Sequence, residues 1–225
     1  MSKCLVLFAS VVMVAGPASA GVVVNEIMFN PSTALGSDAD FEWVEIFNNG
    51  SSPVDISGWT MTDLDSGSGA VVPAGTIIPA DGYMVFARNA SAFTAHYGSS
   101  VPLIAWTGSW GSGLSNTADE VVLLDASNTT VDSLRYDDST DWGSDYGDDN
   151  PYADCDGDGA SLERLLASGS SVDPANWDSS VDEASGIPDA DWPGHYESHG
   201  TPGAINSITI ISTRSRTWAE IKTMF

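Results

Sequence analysis

Glu42-Trp43-Val44-Glu45-Ile46-Phe47-Asn48 is the most informative run in the sequence. In an extended chain successive side chains alternate, so Val44 and Ile46 share one face while Trp43, Glu45 and Phe47 share the other. β-branched and aromatic residues in this alternation make a strand, with Val44 and Ile46 in the core. On the opposite face a carboxylate lies between two aromatics, so Glu45 is expected to be covered by them, under a loop. Such a group is either a functional acid with a raised pKa or a structural acceptor of backbone N–H groups. Without a partner acid, the structural reading is the stronger.

Outward from this strand the same pattern repeats. Candidate strands are Val22 to Phe29, Trp59 to Thr62, Gly82 to Ala87, Leu103 to Trp106, Glu120 to Asp125, Thr130 to Tyr136 and Ser161 to Leu166. Turn chemistry separates them at Asn49-Gly50, Ser57-Gly58, Asp81-Gly82 and Asp125 to Asn128. Glu120 to Asp125 and Thr130 to Tyr136, joined by Ala126-Ser127-Asn128-Thr129, read as a hairpin. Helical periodicity is nearly absent, so the class is all-β, a sandwich over residues 21–166.

Residues 1–20 read as a signal peptide: basic Lys3, an apolar run from Leu5 to Val14, then Ala18-Ser19-Ala20 before Gly21. The run is about half the length a spanning helix needs, and nothing later is long and apolar enough to cross a membrane. The expected destination is therefore secretion to the exterior or cell surface through a cleaved signal. Cys4 leaves with that segment, and Cys155 alone cannot form an internal disulfide. The formal net charge is −24, with no basic stripe in the sandwich to offset it. Such a chain repels phosphate backbones, which excludes direct nucleic-acid binding.

Beyond Tyr136 the composition changes. Nine aspartates fall between Asp137 and Asp158, with Trp142, Tyr146 and Tyr152 and no aliphatic run, the pattern of a long acidic loop. Residues 167–206, rich in Ser, Asp, Gly and Pro, read as an extended segment wrapping the sandwich, with Trp177, Trp192 and Tyr196 as anchors. Residues 207–225 form an appended tail. There Ile208 to Ile211 suit a short strand, Trp218, Ile221 and Phe225 line one helix face, and Arg214, Arg216 and Lys222 concentrate positive charge.

Three pieces in order, Val24-Asn25-Glu26-Ile27, Glu42 to Asn48, and Val54-Asp55-Ile56-Ser57-Gly58-Trp59, resemble the opening of the lamin-tail domain as it occurs in secreted bacterial proteins. Later pieces agree: Pro73-Ala74-Gly75-Thr76, Gly82 to Arg88, Leu114-Ser115-Asn116, Val121 to Asp125 and Asp156 to Arg164. The closing Gly200-Thr201-Pro202-Gly203-Ala204-Ile205-Asn206 resembles the segment that often follows such domains. The resemblance implies an immunoglobulin-like β-sandwich acting as an interaction or tethering module, without catalytic residues. Physical reasons for the pattern stand beside it. Gly58 suits a turn with φ > 0 that admits Trp59 to the core, and Asn25 and Asn48, near strand ends, suit the satisfaction of orphan backbone groups.

Chemistry-bearing constellations are few. Asp154, Asp156 and Asp158 before Gly159 match the start of a calcium loop, with Glu163 as a further ligand and Asp148 and Asp149 as extra ones. The match then breaks, because Leu165 stands where a bidentate Glu belongs. His96, His195 and His199 have no zinc spacing, Cys155 has no placed partner, and no G-x-S-x-G elbow occurs. The expectation is no enzyme, no certain cofactor beyond candidate Ca²⁺, and a protein or surface polymer as partner. The alternative is a carbohydrate-binding module or an accessory domain of a secreted hydrolase system, with Trp106, Trp110 and Trp142 stacking on sugars.

Overall fold

Alternation of apolar and polar residues turns two sheets toward each other. A computed structural model of the protein describes residues 21–63, 69–106, 113–137, 155, 157, 159–180, 187–188, 196–198 and 200–208. In chain order the elements are β1 (Val22–Met28), α1 (Asp38–Phe41), β2 (Trp43–Asn48), β3 (Val54–Asp55), β4 (Thr60–Asp63), β5 (Ala70–Val71), β6 (Ile77–Ile78), β7 (Tyr83–Ala87), α2 (Ala90–Tyr97), β8 (Leu103–Ala105), β9 (Ala118–Leu124), β10 (Thr130–Asp137), β11 (Leu162–Arg164) and β12 (Trp177–Ser179). One sheet has six strands in the order β12-β11-β1-β2-β7-β8; the other has four, β10-β9-β4-β5. All pairs within these two sheets are antiparallel except β7 with β8.

The core lies between the sheets. Val24, Ile27, Val44, Ile46, Phe86 and Leu162 meet Met61, Val121, Leu123 and Leu134, all fully buried. Each such side chain contributes roughly 1.5–3 kcal/mol of hydrophobic stabilisation. Phe29 stacks on Tyr136 with centroids 4.4 Å apart, joining the two layers. The expected all-β sandwich is the fold, and Val44 and Ile46 are where their alternation puts them. Gly58 takes φ 74°, and Trp59, half-buried, packs against the core.

Several local expectations change. Asn25 lies inside β1, at a bulge: Val24 pairs with Ile46 but Glu26 with Glu45, leaving Asn25 as the extra residue. The bulge resets the alternation. Val24 and Ile27 both face the core, and Glu26 joins Glu45 on the outer face.

Helix α2 also interrupts the expected absence of helix. Asn89 caps it by accepting from the N–H groups of Ser91 and Ala92, and Gly98 ends it at φ 91°. Phe93 and Tyr97, one turn apart, cover Trp43 edge-on, so α2 shields half of the outer face. Trp177, expected as an anchor, opens the edge strand β12 and is buried. Ser207 and Ile208 are buried and helical, and the rest of the expected Ile208 to Ile211 strand lies outside the described residues.

Candidate functional site

The half of the outer face that α2 leaves open carries a row of three glutamates. Glu26 pairs across β1–β2 with Glu45 and across β1–β11 with Glu163, so three carboxyls stand side by side on adjacent strands. All three are completely buried. Glu45 is thus not a lone carboxylate, and Gly203 and Asn25 are the groups that engage it, while Trp43 packs on α2 and Phe47 stacks on Tyr83.

Residues 200–208 cover the row as a strap. Gly203 N–H donates to Glu45 Oε2, Thr201 N–H to Glu26 Oε1 at 2.8 Å, and Ile208 N–H to Glu163 Oε2 at 3.0 Å. Ser161 Oγ donates to Glu26, Ser207 Oγ to Glu163 at 2.8 Å, and Asn25 Nδ2 to Glu45 at 2.9 Å. Glu45 is therefore an acceptor of backbone N–H, as its structural reading holds. Asn206 ties the strap to the sheet by donating to the carbonyls of Arg164 and Asn25. Gly200 is needed for close approach: a Cβ there would sit 2.7 Å from Trp43 Cζ2.

Burial dominates the electrostatics of the row. It pushes Glu45 up to about 8, against the lowering effect of the Gly203 and Asn25 donors. Glu26 is held well above the ordinary 4.5 by burial and then by Glu163 and Glu45. Glu163 is raised by burial, although the Ile208, Ser207 and Thr201 donors oppose it. Carboxyls this deeply buried, with their oxygens engaged by the strap, are closed off from an external substrate.

Among the described residues, a cleft and a groove lie elsewhere. A polar cleft of about 490 Å³ is lined by Ser37, Asp38, Glu42, Arg88, Leu114 and Asn116. In it Arg88 Nη1 donates to both Glu42 oxygens at 2.8 Å, and Leu114 N–H donates to Glu42 Oε2. Burial nonetheless pushes Glu42 up to about 7. The second feature, an apolar groove of about 420 Å³, opens between the edge strands β5 and β8 and is lined by Val71, Pro73, Met84, Leu103, Ile104 and Ala105.

A family model described as Lamin Tail Domain matches residues 15–138, more than half of the chain. The chain belongs to the lamin tail domain family. No curated protein matches it significantly. The sandwich is accordingly immunoglobulin-like, in a family of non-enzymatic, protein-interaction domains. In this lamin tail domain the matched span supplies Glu26 and Glu45, whereas Glu163 and the strap come from later chain that completes the same sheet face.

Of the sequence-predicted calcium ligands, Asp154, Asp156 and Asp158 lie outside the described residues, as do Asp148 and Asp149. Glu163 has both carboxyl oxygens engaged inside the fold by Thr201, Ser207 and Ile208, so a site on the aspartates would have to form without it. Among the described residues no three His, Cys, Asp or Glu side chains converge on a metal position. Trp110 and Trp142 lie outside the described residues, and Trp106 packs against the core. No helix of the described residues is long and apolar enough to cross a membrane. Sequence reasoning missed the row and the groove, and it singled out residues 200–206 without their place over the row; the signal for the row was a glutamate inside each of three separate strand motifs.

Proposed function

We propose that this lamin tail domain is an exported, non-catalytic tethering module that takes an extended segment of a protein partner along β8. The observation that carries the reading is the orientation of that edge. Val85 N–H donates to Pro102 O and Trp106 N–H to Ala87 O, so the even-numbered residues face β7. In a parallel ladder the N–H and C=O groups of Leu103 and Ala105 then point away from the sheet. Beside them lies the apolar groove, with Val71 57 % exposed. Unpaired backbone next to an apolar channel is what strand addition uses: hydrogen bonds supply affinity, and alternate side chains entering the groove supply selectivity.

Export is supported by residues 1–20 and by the acidic composition, which suits a dispersed protein outside the cell. The absence of catalysis is supported by the family and by the strap sealing the carboxyl row.

The test is selection of extended peptides by the full chain from a displayed library, then binding by Ala105→Pro and Val71→Asp. Proline removes the outward N–H of Ala105 and leaves the β7 pairing intact. The reading expects both variants to keep the melting temperature and lose at least tenfold in affinity. Peptides that bind both variants as well as wild type would sink it. Retention on polysaccharide with no peptide selected would favour the carbohydrate-binding alternative.

A further inference from the structure

We propose that residues 200–208 form a proton-held strap: it lies closed on the sheet while one of Glu26 and Glu163 carries a proton, and lifts when both ionise. Thr201 Oγ1 stands 3.2 Å from Glu26 Oε2 and 2.9 Å from Glu163 Oε1. A hydroxyl has one hydrogen, so it donates to only one of the two carboxyls. The other contact is a hydrogen bond only if that carboxyl donates to the hydroxyl. A single proton on the Glu26–Thr201–Glu163 chain therefore satisfies every atom in it. With none, two buried anions face each other on neighbouring strands and one oxygen repels the hydroxyl's lone pairs.

Among the described residues, the surroundings offer no substitute for that proton. The strap, from Gly200 to Ile208, contains no ionisable side chain. From β2, Glu45 adds a third acid to the row. From β12, Asp178 lies across from Glu163 and is exposed. From β7, Tyr83 has its hydroxyl pushed up to about 12 by burial and by Glu45, Asp81 and Glu26. The nearest cation on β11, Arg164, is committed elsewhere, to Asp132 on β10 and to the carbonyls of Val24 and Gly169. Asp178 and Tyr83 thus add only an acid and a neutral phenol beside the row, and His96, on α2, packs edge-on against Phe41 and Tyr97. Burial shifts Glu26 and Glu163 above the ordinary carboxyl range, the direction a retained proton requires.

The experiment measures amide protection of Thr201, Gly203 and Ile208 by hydrogen exchange in the full chain, corrected for intrinsic rates, from pH 5 to pH 9.5. Wild type is expected to lose at least tenfold in protection as pH rises, while the core strands stay protected. Glu26→Gln keeps the acceptor for Thr201 N–H and presents an amide donor to Thr201 Oγ1, mimicking the protonated state. It should hold protection within about twofold, and Glu163→Gln, the reciprocal change, should do the same if Glu26→Gln fails to fold. Flat protection in wild type would overturn the proposal. So would a loss abolished by Glu45→Gln but not by either of the other two variants, because that assigns the effect to Glu45 alone.

Discussion

Asn206 and Asn25, 181 residues apart in sequence, hydrogen-bond side chain to side chain at 2.8 Å inside the protein. The contact joins the bulge of β1 to the strap, so the extra residue in the strand and residues 200–208 serve one arrangement. Asn206 Nδ2 also donates to the carbonyls of Asn25 and Arg164, at 3.2 and 2.9 Å.

Asn206→Ala should therefore destabilise the protein by about 2–4 kcal/mol, because it leaves two carbonyls and the Asn25 amide short of partners in the interior. Urea unfolding at pH 6 measures this. A change under about 0.5 kcal/mol would mean the strap adds nothing to global stability.

Arg164 offers a second, stricter test. It is buried, stacks over Trp177 at 5.6 Å and pairs with Asp132 at 2.7 Å. Removing one partner strands the other charge without compensation, so Asp132→Ala should cost about 3–5 kcal/mol. The double variant Asp132→Ala with Arg164→Met should cost less than the sum of the two single changes, measured as a double-mutant cycle. Because the pair is shielded from solvent, raising the salt concentration should change its contribution little.

What the sequence alone made legible follows from range. β2 was readable because alternation within six residues is a local signal, and the β9–β10 hairpin because Asp125 and Asn128 mark its turn; Asp125 Oδ1 accepts from Ser127 and Thr129, and Asn128 takes φ 60°. Helix α2 escaped because eight residues with Phe93 and Tyr97 as its apolar contacts scarcely differ from a loop. The carboxyl row escaped for a deeper reason. Glu26, Glu45 and Glu163 become neighbours through strand register, and the bulge at Asn25 that turns Glu26 outward is fixed by two partner strands together. The groove likewise belongs to the free edges of two different sheets.

Gly113 predicts a third effect. It takes φ 96°, and a Cβ there would collide with Arg88 Nη1 and Glu42 Oε2. Gly113→Ala must displace the ion pair as well as strain the backbone, so a loss of about 2–3 kcal/mol is expected, against about 1–2 kcal/mol for strain alone. Thermal melting of Gly113→Ala beside Gly58→Ala separates the two, since a Cβ at Gly58 would meet only Ala126, at 3.6 Å.

The polar cleft supplies a pH dependence whose sign can be worked out. Burial raises Glu42 from 4.5 to about 7, and the Arg88 guanidinium acts in the lowering direction. Because the folded value exceeds the unfolded one, the folded state binds more protons between pH 4.5 and 7, so stability falls as pH rises through that window. Arg88→Met removes the opposing cation. The folded carboxyl then titrates still higher, and the fall should become steeper and extend above pH 7. Urea midpoints of wild type and Arg88→Met at pH 5, 7 and 9 test this. The two should lie closest at pH 5, where Glu42 is protonated in both folded proteins, and diverge by about 1–3 kcal/mol at pH 9. A gap that is the same at all three pH values would show that Arg88 acts by packing its stem against the cleft and not by holding the Glu42 charge.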